Sequence, residues 1–129
     1  MAVPVKKSAP FREMYKLRDF KIATLLAVLA WLAMLALLIV RVLPIVYGKT
    51  AIPLHYNIHV GVDAVGPWWK IFTAPAIGLM VLVANLFLAR FMWTRDQAIS
   101  HVVVFATVVM QYLLLAATVF IVYLSLQYA

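Results

Sequence analysis

Three long apolar runs divide this chain, and polar residues are confined to the stretches between them. Ile22–Val40 has no charged residue, and the run resumes after Arg41 as far as Tyr47. Phe72–Met92 follows, interrupted only by Arg90 near its end, and Ile99–Leu126 contains no Lys, Arg, Asp or Glu. A helix of about 20 apolar residues crosses the hydrocarbon core of a bilayer. A spanning β-barrel would show alternating polarity instead of continuous runs, so it is excluded. The pattern predicts an all-α integral membrane protein with three transmembrane helices, at about 22–47, 72–92 and 99–126. The first run is too long for the h-region of a signal peptide, and no A-x-A cleavage site follows it, so it reads as a retained helix. Pro44 should bend or end that helix, whereas Pro75 suits the first turn of the second.

Composition agrees. The chain has 129 residues, of which 67% are hydrophobic and 12% charged, against roughly a quarter charged in soluble domains. Lipid is the natural solvent for so much apolar surface. The 11 Lys and Arg residues outnumber the 4 Asp and Glu residues. Six of the basic residues (Lys6, Lys7, Arg12, Lys16, Arg18 and Lys21) precede the first run, in a basic segment covering 1–21. Within it, Ser8, Pro10 and the following FREMYKLRDFK predict a short amphipathic helix at the membrane interface.

Arg90 and Arg95 flank the tight link Thr94–Gln97; Arg41, Lys49 and Lys70 lie toward the other end of the helices. The positive-inside rule then predicts a cytoplasmic N-terminus, with the 48–70 segment and the C-terminus on the far side. No nucleic-acid-binding motif accompanies the basic charge, so nucleic acid is not an expected partner. The absence of cysteine excludes disulfides, thiolate nucleophiles and thiolate-held metals.

Two helices carry polar seams. In the third, Ser100, Thr107, Gln111, Thr118 and Ser125 recur at spacings of seven, four, seven and seven, which is one helical face. In the second, Pro75, Gly78, Leu82, Asn85 and Ala89 share a face. Small residues let helices approach closely, and amides prefer a partner helix to lipid. Asn85 and Gln111 are the expected interhelical polar residues. Their depths differ by roughly 10 Å at about 1.5 Å rise per residue, so each should find another partner, such as a backbone carbonyl. His101, near the start of the third helix, reads as an interfacial side chain.

The segment 48–70, GKTAIPLHYNIHVGVDAVGPWWK, holds the remaining histidines. Its Ile52–Val60 part alternates as a half-buried strand, with His55, Asn57 and His59 on one face and GVDAVGP as the following turn. The segment is expected to form a short extracytoplasmic cap between the first two helices. Tyr56, Asn57, Trp68 and Trp69 are candidate partner-binding residues, because aromatic side chains supply most contact anchors. His55, His59 and Asp63 are candidate metal ligands. No nucleophile–base pair, carboxylate pair or phosphate loop is visible, and no cofactor or catalytic role is expected.

The run IPLHYNIHVGVDAVGPW resembles a bacterial membrane domain of unknown function that often precedes immunity proteins of the SDP peptide-toxin system. The matching positions are Pro53, His55, Tyr56, Asn57, Gly61 and Asp63. That resemblance implies a multi-pass protein of the bacterial cytoplasmic (inner) membrane. The expected function is a small non-enzymatic accessory or interaction subunit. Its surroundings are the bilayer, other membrane subunits or copies of itself, and its cap recognises a protein, peptide or lipid. The alternative is a metal- or ligand-responsive sensor, transporter-like or immunity-type protein using His55, His59 and Asp63.

Overall fold

The computed structural model describes residues 10–127; the side chains of Pro10, Phe11, His55, Tyr56, Asn57, Val62 and Asp63 lie outside what it describes. Three helical stretches are long and apolar enough to cross a membrane: Arg18–Val46, Trp68–Trp93 and Gln97–Gln127. Even the shortest, with 26 residues, reaches roughly 39 Å at about 1.5 Å per residue, beyond the ~30 Å hydrocarbon core.

The chain opens with α1 (Pro10–Met14), turns, and enters α2 (Arg18–Leu37). The amphipathic helix expected from Ser8 is therefore a single turn, and the first long helix starts at Arg18 rather than Ile22. Ser8 lies outside the described residues. The break at Leu17, which is extended at φ −73° and ψ 126°, lets Met14 turn in beneath the bundle, where it is 1% exposed.

Toward its far end α2 widens into a π-helical turn, Leu38–Val42, before a last α-turn, α3 (Leu43–Val46). Pro44 explains the widening. A proline has no N–H for the carbonyl four residues back, and its ring collides with that carbonyl. One extra residue in the preceding turn relieves the clash, and the Leu43 N–H bonds to the Leu38 carbonyl. Arg41 sits exposed in this turn. A type II turn then ends the helix. Tyr47 adopts φ −59° and ψ 128°, Gly48 takes φ 79°, and the Lys49 N–H reaches the Val46 carbonyl at 3.1 Å. Glycine is the residue that occupies such a positive φ without strain.

An antiparallel hairpin follows, β1 (Ile52–Asn57) and β2 (Gly61–Gly66). This corrects two expectations. The strand stops at Asn57, so His59 lies in the turn Ile58–Val60, and GVDAVG is the second strand instead of a loop. Gly61, at φ 80°, makes the exit from that turn. The pairing slips locally at His55, which stands opposite Ala64, and recovers at Tyr56 opposite Val62. A 3₁₀ turn (Trp68–Phe72) leads into α4 (Thr73–Trp93), and a tight link leads into α5 (Gln97–Gln127). Asp96 caps α5, accepting the Ala98 and Ile99 N–H groups at 2.8 and 3.2 Å.

The helices run up, down and up. The start of α2, the end of α4 and the start of α5 share one cluster: Met14, Phe20, Ala23, Ala89 and Val104. The far end of the first stretch, the hairpin and the end of α5 share another: Leu38, Val42, Val46, Ile52 and Val122. The hairpin therefore lies at the opposite end of the bundle from α1 and the α4–α5 link. Helix α5 packs along both α2 and α4, which touch each other less.

Candidate functional site

The predicted seams meet. Ser100, Thr107, Gln111 and Thr118 are buried on α5, and Pro75, Gly78, Leu82 and Ala89 are buried on α4; Asn85 is half-buried on the same face. The hydroxyls divide their work, however. Thr107 and Thr118 donate back to their own helix, to the Val103 and Leu114 carbonyls, as threonine does where no better acceptor is near. Only Ser100 and Gln111 bond across. Ser100 Oγ donates to the Ala89 carbonyl at 2.7 Å, and Gln111 Nε2 donates to the Gly78 carbonyl at 2.6 Å.

Gln111 is fully buried, and its Oε1 has no hydrogen-bond partner among the described residues. A Cβ at position 78 would stand 3.1 Å from that oxygen and 3.1 Å from Met34 Cε. Glycine is thus what admits the amide. A third bond, which the sequence reading did not anticipate, runs from α2: Trp31 Nε1 donates to the Pro75 carbonyl at 2.8 Å. All three bonds end on α4 carbonyls, which use the second lone pair left over from the helix's own ladder. The buried face of α2 (Ala23, Ala27, Ala30 and Met34) was likewise not singled out, because a helix apolar on every side shows no contrast in sequence.

The end opposite α1 is built differently. The π-turn and α3, the hairpin, the 3₁₀ turn and the end of α5 enclose a cleft of about 240 Å³. Val46, Ile52, Ile71 and Ile121 supply apolar lining, and Lys49, Lys70 and Ser125 supply polar groups. Trp68 is half-buried against the neighbouring apolar cluster, and its ring lies 5.2 Å from that of Tyr47. Gly66 ends β2 beside Leu54 and Lys70, two residues that line the cleft. A Cβ there would lie 2.5 Å from Leu54 Cδ1 and 3.2 Å from Lys70 Cδ, so the glycine gives the lysine stem a place to lie. Thr73 Oγ1 donates to the Lys70 carbonyl at 2.8 Å and steadies the start of α4.

The predicted residues of the 48–70 segment fare unequally. Trp69 is 59% exposed, whereas Trp68 is packed inward. His59 is exposed in the hairpin turn. His55, Tyr56 and Asn57 lie on β1 and Asp63 on β2, and their side chains are outside the described residues. Among the described residues, no group of three or more His, Cys, Asp or Glu side chains converges. At the other end, His101 donates from Nδ1 to the Gln97 carbonyl at 2.7 Å and sits 4.5 Å from the Phe20 ring. It is part of an aromatic floor with Trp93.

Comparison with protein families, with curated proteins and with solved structures gives no match to this chain.

Proposed function

We propose that this chain is a non-enzymatic multi-pass membrane protein whose hairpin forms a recognition cap, and that it works as an accessory subunit of a larger membrane assembly. The observation that carries this reading is the contrast between a helical bundle held together internally and an end that presents a hairpin, the exposed Trp69 and a cleft. The basic residues Arg12, Lys16, Arg18, Lys21, Arg90 and Arg95 lie toward the end opposite the hairpin, which favours a cytoplasmic N-terminus and an outward-facing cap. The resemblance of the hairpin sequence to the domain that precedes SDP-type immunity proteins favours a bacterial inner membrane.

Two measurements test the reading. A cysteine at position 64 should react with a membrane-impermeant maleimide added to intact cells, and one at position 8 should not; the reverse pattern inverts the topology. Purification in a mild detergent should bring a partner protein along in fixed ratio, and recovery of the chain alone, at several detergent concentrations, counts against the subunit role.

A second reading is a metal-responsive cap. The hairpin supports it by bringing His55 and Asp63 onto paired strands, since Ala64 is the Cα partner of His55. Elemental analysis decides: stoichiometric zinc or copper, lost in both His55→Ala and His59→Ala, favours that reading, and a metal-free wild type rejects it.

A further inference from the structure

We propose that the cleft beneath the hairpin seats one anionic phospholipid, with its phosphate between Lys49 and Lys70 and the start of an acyl chain along Val46, Ile52, Ile71 and Ile121. The inference rests on the membrane-spanning reading of the three helices and not on the accessory role.

Position comes first. The cleft is formed where α3 ends and the 3₁₀ turn begins, at the limits of two stretches of membrane-crossing length. That is the depth of lipid headgroups. Charge is the second argument. The lining holds two lysines and no acidic residue, and neither lysine belongs to an ion pair among the described residues. Lysine ammonium groups near a membrane surface are drawn to anionic lipid, and to a zwitterionic headgroup much less. Shape is the third. Lys70 lays its stem along Gly66, as a lysine does when apolar surface carries its charge to the boundary. The apolar lining continues from buried Val46 and Ile52 to Ile121, which is 39% exposed on α5, so a chain can pass from the cleft into the bilayer. A volume of about 240 Å³ suits a head and the first carbons of one chain; it is too small for a folded peptide segment.

The test is native mass spectrometry of the purified full chain, offered phosphatidylglycerol and phosphatidylcholine of matched acyl length in equal amounts. The wild type should retain one phosphatidylglycerol in preference. Lys49→Gln/Lys70→Gln should lower that preference about thirtyfold, in line with the ordinary worth of two surface lysines. Lys49→Arg/Lys70→Arg should keep it, and Ala74→Phe, which fills the cleft, should lose binding of either lipid at this site. Far-ultraviolet circular dichroism of each variant separates these effects from misfolding.

Equal retention of the two lipids, an unchanged preference in the glutamine variant, or displacement of the lipid by millimolar inorganic phosphate alone would each overturn the proposal. A chain recovered without protein partners but holding phosphatidylglycerol would sink the accessory role and leave the lipid site standing. A chain with a protein partner and no lipid preference would do the reverse.

Discussion

The two ends of this bundle are made from similar apolar residues and finish in opposite ways. At the α1 end, Met14, Phe20, Ala23, Ala89 and Val104 close over one another, Ser100 ties α5 to α4, and a three-residue link joins the two helices under an Asp96 cap. At the hairpin end the helices are ended by Pro44, Gly48 and a 3₁₀ turn, each of which breaks the regular spacing. The first end closes around Ala89 and Ser100 and leaves a shallow apolar cleft of about 140 Å³ between α2 and α5, whereas the second keeps a larger one, of about 240 Å³. Burial at an end thus depends less on how greasy the residues are than on how the chain turns there. A capped short link forces helices together, and a proline or glycine turn lets them spread.

The largest test of this contrast is a pair of identical substitutions. Ala89→Leu adds bulk where the side chain is 0% exposed, and should destabilise the bundle by about 1–3 kcal/mol or more, the usual cost of overpacking. Ala74→Leu adds the same bulk into the cleft wall and should cost under about 1 kcal/mol, since the space exists to receive it. Unfolding in mixed micelles of increasing SDS measures both, and equal losses would erase the distinction between the two ends. Next in size, Asp96→Ala should cost about 1 kcal/mol through loss of the cap.

Smallest are the bonds to α4. Trp31→Phe should cost about 0.6 kcal/mol, the average for hydrogen bonds between membrane helices. Gln111→Leu should be near neutral, because it removes a bond and an unpaired buried oxygen together. A loss above about 2 kcal/mol for Gln111→Leu would mean that Oε1 has a partner, such as a bound water.

Much of this bundle could be read from the chain because its periodic seams carry contrast. Ser100, Thr107, Gln111 and Thr118 stand out on an apolar helix, and their shared face is buried. The same logic found Pro75, Gly78 and Ala89 on α4. It could not find Trp31, because an indole among leucines and alanines reads as one more apolar residue until its N–H has a carbonyl to meet. Nor could it find the second strand. Two glycines, an aspartate and a following proline in GVDAVGP are turn chemistry, and pairing with β1 overrides that preference. The role of Met14 was equally hidden, since its burial depends on a break at Leu17 that no proline or glycine announces. The cleft arises where the stretch Val42–Ala74 folds back against the end of α5, and only Lys49 and Lys70 hint at it locally.

The widened turn at Leu38–Val42 has a consequence for phase. Inward residues Met34, Leu38, Val42 and Val46 recur at every fourth position, and on a straight helix such a series would wander by roughly 40° per step at about 3.6 residues per turn. The surplus residue cancels that drift and works as a compass correction between the helix and everything downstream of it. Excising one residue there, Ile39 for instance, would swing Lys49 and the hairpin after it about 100° around the axis and aim them at a neighbouring molecule instead of their own bundle.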